Sequence, residues 1–164
     1  EGYKFYFEAE FTITERKPYR HISGVEELYP KLGLVLKSNA GSTFFYIDSA
    51  YTDGFNKKVV GYCQRKQDNS DYDWSATETL ADWDIDYTDG KYTKLAIARV
   101  DDTYYFFVND KLFATETGLR GLSGENVYGG CLVFNMGIRV KNYNTISGEQ
   151  EVLNKIQSLG VENN

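Results

Sequence analysis

The residues best suited to chemistry lie between Gln67 and Gly90, where Asp68, Asp71, Asp73, Asp82, Asp84, Asp86 and Asp89 are interleaved with Tyr72, Trp74, Trp83 and Tyr87. Both tryptophans of the chain fall in this one acidic stretch. A sugar ring presents apolar C–H faces and a rim of hydroxyls, so a site for one needs an aromatic platform flanked by carboxylates or amides. Trp74 and Trp83, bracketed by Asp71, Asp73, Asp82 and Asp84, supply both elements. The competing explanation, a tryptophan that plugs the hydrophobic interior, serves for either residue alone and less well for both.

The same acids admit two other uses. Asp82-Trp-Asp-Ile-Asp86 sets carboxylates at alternate positions, about 6.6 Å apart along a strand, so a pair could address one glycosidic bond. Asp68-Asn-Ser-Asp-Tyr-Asp73 crowds oxygen ligands as calcium favours, without the glycine and terminal glutamate of an EF-hand. His21 is the single histidine, so neither a Ser-His-Asp triad nor a histidine metal site can be assembled, and we read it as a surface residue. A net charge of −6 argues against nucleic acid or an anionic membrane as partner, because both demand a basic patch. No apolar run approaches the length of a membrane span.

The scaffold that must position these residues is written as strands and turns. Lys94 to Val100, Thr103 to Val108 and Lys111 to Glu116 are short β-branched and aromatic runs separated by Asp101-Asp102 and Asn109-Asp110, dipeptides that tolerate positive φ, and they predict a meander. Gly129 to Asn135, Met136-Gly137 and Ile138 to Tyr143 repeat the strand, turn, strand pattern. Upstream, Tyr3 to Thr14, Lys31 to Ser38, Thr43 to Ala50 and Lys57 to Lys66 predict four more strands, with Lys31 to Ser38 apolar enough to be covered on both faces. The two-layer solution is an all-β antiparallel sandwich spanning residues 1–146. Ser147-Gly-Glu-Gln150 has the form of a capping box. Val152, Leu153, Ile156 and Leu159 recur at helical spacing up to Gly160, so residues 147–164 predict a short amphipathic helix and tail folded onto the sandwich.

Alternation also assigns faces. Leu95 and Ile97, Phe106 and Val108, Phe45 and Ile47, and Val59, Gly61 and Cys63 are expected inward. That leaves Tyr105, Tyr46, Asp48, Tyr62 and Gln64 outward, around the small Ala96 and Ala98, as a shallow aromatic groove; the alternative is a second small core beneath the acidic insertion. At 164 residues the chain can bury roughly two-thirds of the surface its unfolded form exposes, enough for one core without staples. Its 14 tyrosines within a 16% aromatic content exceed what such a core requires and suit a half-wet binding surface. Cys63 and Cys131 each fall in an expected strand, where a free cysteine behaves as a small buried hydrophobe, and we favour that over a bridge.

The strand Leu95 to Val100, the hairpin Tyr105-Phe-Phe-Val-Asn-Asp-Lys-Leu112, the Gly-rich run into Ile138 to Tyr143, and the openings Phe5 to Ile13 and Leu32 to Leu36 together resemble the concanavalin A-like lectin and glucanase superfamily. The resemblance covers most of residues 3 to 145. It implies a jelly roll, glycan binding on the concave sheet or its rim loops, and in many members calcium bracing of loops. Glucanases of that group carry two Glu around an Asp, whereas this chain has Asp at Asp82, Asp84 and Asp86, which shortens the arms and speaks against catalysis. The expected function is therefore a non-catalytic carbohydrate-binding module, with Trp74, Trp83, Tyr46, Tyr62, Tyr105, Asp48, Gln64 and Asp84 contacting an oligo- or polysaccharide. Because the sequence opens inside a strand without an initiator Met or a signal-like segment, we expect it to be part of a larger, extracellular or surface-attached bacterial protein. A hydrolase using the Asp pair, or an adhesion module whose groove binds a protein, are the alternatives.

Overall fold

The structure, a computed structural model, describes residues 4–16, 31–38, 41–48, 59–67, 72–73, 79–82, 90–117, 128–134 and 136–162. In chain order these form β1 (Lys4–Arg16), β2 (Lys31–Ser38), β3 (Gly41–Asp48), β4 (Val59–Gln67), β5 (Tyr72–Asp73), β6 (Thr79–Asp82), β7 (Thr93–Val100), β8 (Thr103–Val108), β9 (Lys111–Thr117), β10 (Tyr128–Phe134), β11 (Met136–Ile146) and α1 (Glu149–Ser158). They build two antiparallel sheets. One has the order β11-β1-β7-β8-β9; the other runs β10-β2-β3-β4-β5, with β6 also on β4. The all-β sandwich with one short terminal helix is the architecture that the alternation predicts.

The meander forms where the turn chemistry places it. Val108 pairs with Lys111, and Asn109 and Asp110 between them both have positive φ, 48° and 64°, the combination that matches the twist of a two-residue hairpin. The Asn109 side chain accepts the Lys94 N–H at 2.9 Å while its own N–H donates to the Lys94 carbonyl at 2.9 Å. This fastens the turn to the neighbouring strand. β10 and β11 do not pair with each other despite their proximity in sequence: β10 adds to β2 in one sheet and β11 to β1 in the other. The chain crosses between layers there.

Between the sheets, Phe7, Phe11, Leu32, Leu34, Phe45, Ile47, Leu95, Ile97, Phe106 and Val108 are buried in one cluster, so the expected phases of β3, β7 and β8 hold. Lys31 to Ser38 is covered on one face more than the other, since Leu32, Leu34 and Leu36 are buried while Val35 is half-buried and Lys37 exposed. β4 has the opposite phase to expectation: Val60 and Tyr62 belong to the inter-sheet core. In Val59-Val-Gly-Tyr-Cys63 the glycine has no side chain and its neighbours are all apolar, so alternation does not discriminate. The deciding contacts are tertiary: the Tyr62 ring stacks on Phe106 at 4.3 Å and its hydroxyl donates to Glu116 at 2.8 Å.

The helix lies on the outer face of the five-stranded sheet, where Val152, Ile156 and Val161 join Tyr6, Ala96, Ala98, Val100 and Phe107 in a second buried cluster. It begins one residue later than the capping-box pattern suggests, with Gly148 at the N-cap and no side-chain cap. Glu149 and Glu151 occupy the first turn instead, where their charge opposes the helix dipole, and Lys4 holds Glu149 at 2.8 Å. At the other end Gly160 has φ 86°. The Gly160 N–H donates to Gln157 and the Val161 N–H to Ile156, a Schellman closure that only the left-handed glycine allows without strain.

Candidate functional site

The three tyrosines of the expected groove go to three different places. Tyr62 is 6% exposed in the core between the sheets. Tyr105 is half-buried on the outer face of the five-stranded sheet, packed against the helix cluster. Tyr46 sits on the other side of β3 from the core residue Phe45 and is 2% exposed. Ala96 and Ala98, the intended floor, are covered by Val152 and Ile156. The groove does not form: Tyr46 and Tyr62 belong to the other sheet, and the second core at Ala96 and Ala98 is made by the C-terminal helix rather than by the acidic insertion.

Of the remaining expected site residues, Trp74, Trp83 and Asp84 lie outside the described residues, as do His21 and most of the calcium-type acids. Asp48 and Gln64 are placed by backbone only, Asp48 paired with Lys31 and Val59 and Gln64 with Thr43. Among the described residues no group of three or more His, Cys, Asp or Glu side chains converges as a metal site, and no helix is long and apolar enough to cross a membrane. Cys131 is a free, exposed thiol, contrary to its expected burial, because β10 ends its sheet.

The face that the helix does not cover is the outer one of the six-stranded sheet, although its central positions Gly33, Tyr46 and Gly61 are buried. Its central row is Leu132, Gly33, Tyr46, Gly61 across β10, β2, β3 and β4. A Cβ on Gly33 would lie 2.0 Å from the Phe45 carbonyl oxygen and 2.6 Å from the Tyr46 Cα, so β2 and β3 approach closely only because residue 33 has none. Tyr46 therefore rests with a glycine on each flanking strand. The next row, Gly130, Val35 and Phe44, is half-buried throughout. Beyond it come Tyr128, Lys37 and Ser42, with Tyr128 68% exposed. Aromatic and aliphatic surface beside an ammonium and a hydroxyl can stack on the apolar face of a ring and bond its rim.

The short strands immediately preceding each tryptophan enter this same sheet. Tyr72 and Asp73, immediately before Trp74, pair with Gln67 and Lys66. Thr79 to Asp82, immediately before Trp83, pair with Tyr62 to Val59. Within the acidic insertion, the described residues 72–73 and 79–82 are thus tied to β4.

The opposite surface is charged and internally paired. Glu8 and Glu10, two residues apart on β1, have the alternate spacing of a glycosidase carboxylate pair, a pattern that sequence reading passed over inside an apolar strand. Each already holds donors: the Tyr6 hydroxyl reaches Glu8 at 2.5 Å and Lys94 stands 3.8 Å from it, while Asn142 donates to Glu10. Burial works against the Lys94 charge, yet Asp110 at 2.7 Å together with Glu8 and Glu10 raises its pKa above the ordinary lysine value. Burial and the Glu8 carboxylate push the Tyr6 hydroxyl far above the usual tyrosine range. This network braces the surface beside the helix, and its carboxylates are spent on neighbours.

No protein-family model and no curated protein matches the sequence. Solved structures do. A functionally unknown protein from Saccharomyces cerevisiae superposes with a TM-score of 0.59 at 9% identity, covering 90% of this chain and 71% of that one. The carbohydrate-binding module CBM66 from Bacillus subtilis superposes with a TM-score of 0.54 at 15% identity, covering 88% of this chain and 75% of that one. Sheep galectin-11, in complex with glycerol, matches at a TM-score of 0.40 and 14% identity over 86% of this chain and 92% of that one, a likeness too loose to argue from. The fold shared with the yeast protein and with CBM66 is the two-sheet antiparallel β-sandwich that the strand pattern predicts.

Proposed function

We propose that this chain is a non-catalytic carbohydrate-binding module that takes an oligo- or polysaccharide on the outer face of its six-stranded sheet, with Trp74, Trp83 and Asp84 of the acidic insertion completing the site. The observation that carries the reading is the pairing with β4 of β5 and β6, the strands that immediately precede Trp74 and Trp83, in the sheet whose outer face is free of the helix. The likeness to a carbohydrate-binding module supports it at the level of fold. Asp48, two positions beyond Tyr46 on β3, and the exposed Tyr128 extend the contact surface. Tyr46, Tyr62 and Tyr105 do not belong to it: Tyr46 is 2% exposed, and the other two are committed to the two cores. A module of this kind belongs to a larger extracellular or surface-attached protein, and the acids of Asp68 to Asp73 could hold calcium that braces the insertion.

The test is a glycan array probed with this chain, with calcium and with chelator, followed by a reducing-sugar assay on the polysaccharide that binds. Saturable binding without sugar release is expected. Release that disappears in Asp84→Asn would move the chain to the hydrolases, and an array with no hit would leave protein adhesion as the better reading.

A further inference from the structure

Large apolar side chains left exposed among the described residues concentrate on two strands. Tyr128 at 68%, Val133 at 43%, Val140 at 38% and Tyr143 at 50% exposure all lie on β10 and β11, and only Leu112 lies elsewhere. These strands end the two sheets on the same side of the sandwich. Tyr143 reaches across from β11, donating its hydroxyl to the Gly129 carbonyl at 3.1 Å and packing edge-on against Phe7. Among the described residues the second edge of β10 has no strand partner.

Unpaired edges are ordinarily protected by charge, proline or bulges. The other edge strands carry charge: β9 has Lys111 and Glu116, β11 has Arg139 and Lys141, and β5 has Asp73. β10, Tyr-Gly-Gly-Cys-Leu-Val-Phe, has neither charge nor proline. On a chain of net charge −6 this uncharged strip is where a second copy meets least repulsion.

The strand is also complementary to itself. An antiparallel pair related by a two-fold axis at Cys131 sets Tyr128 against the partner's Phe134, Gly129 against the partner's Val133 and Gly130 against the partner's Leu132. Each glycine meets a bulky aliphatic residue, and the aromatic ends meet each other, as an isologous contact requires. Packing within one copy accounts for the first glycine, whose added Cβ would press on Phe7 at 3.2 Å. It does not account for the second: a Cβ on Gly130 would meet only Val35, at an ordinary 3.5 Å.

We infer that two copies of this chain pair antiparallel through β10 about Cys131, joining their six-stranded sheets into one. The outer faces of the two six-stranded sheets then lie side by side, and, on the proposed function, a polymeric glycan can engage both copies with the gain in avidity that linked sites give.

Sedimentation velocity of the full chain over a concentration series should reveal a reversible dimer. Val133→Lys, at an exposed position, should weaken it by at least about tenfold without lowering the melting temperature. In a Cys63→Ser background a short bismaleimide should join the two Cys131 thiols, and should fail to do so once Val133→Lys is added. A monomer throughout the series, or a dimer and cross-link that Val133→Lys leaves intact, would overturn the inference.

Discussion

The outer faces of the two sheets have opposite fates. On the five-stranded sheet the outward residues are Tyr6, Ala96, Ala98, Val100 and Phe107, and α1 buries them. On the six-stranded sheet the outward residues are Tyr128, Lys37, Val35, Phe44 and Tyr46, with glycines at positions 33, 61 and 130, and no described helix covers them. One face is buried under the helix, while the other carries no described helix and exposes Tyr128 on its edge strand. An alternating strand announces that it has two faces and says nothing about which one the rest of the chain will cover.

The largest effect should come from breaking the closed face. Ile156 is fully buried beneath the helix, and Ile156→Ala removes packed methylenes there at a cost of about 2 to 5 kcal/mol. Calorimetry should register a clear fall in melting temperature. Any glycan bound by the folded fraction should keep its affinity, because the helix and the proposed site lie on different sheets. An equal loss of affinity and stability would mean that the two faces are not independent.

Alkaline titration sharpens the same contrast more gently. Burial pushes the Tyr104 hydroxyl from 10.0 up to about 12, against the lowering pull of Arg99 and Thr43, and the hydroxyl lies in the core without a well-formed hydrogen bond. Tyr6, under the helix, is shifted in the same direction. A tyrosine whose folded pKa is raised contributes stability that is complete below pH 10 and is lost as pH rises toward the folded value, by about 1.4 kcal/mol per unit for each such group. Denaturant midpoints should therefore hold up to pH 10 and then fall, with the part of the tyrosinate absorbance that belongs to Tyr6 and Tyr104 appearing late and together with unfolding. Ionisation of every tyrosine near pH 10 in a fold that persists would contradict the burial of these two.

How much of this was legible follows from the range of each signal. Asp101-Asp102 and Asn109-Asp110 state their turns locally, and Val152, Ile156 and Gly160 state a helix and its end, so the meander and the helix can be read directly. The phase of β4 could not, because Gly61 interrupts the alternation and the ring stack of Tyr62 on Phe106 joins residues far apart in sequence. The groove around Ala96 and Ala98 was misread for a related reason: small outward residues look like the floor of a site and serve equally as the seat of a helix. The sorting of β10 and β11 into different sheets is likewise a long-range choice that two adjacent strands do not disclose. Trp74 and Trp83 remain the strongest local signal, and β5 and β6 connect it to the open sheet.

The most direct measurement is calorimetric titration of a glycan identified on the array into the native chain, Trp83→Ala, Trp74→Ala and Ala96→Ser. Truncating a central aromatic anchor costs about 2 kcal/mol or more, roughly thirtyfold in affinity. The two tryptophan variants should lose at least that much while melting as the native chain does, and Ala96→Ser, beneath the helix, should bind as the native chain does. Normal binding by both tryptophan variants, or a loss confined to Ala96→Ser, would contradict a site on the outer face of the six-stranded sheet.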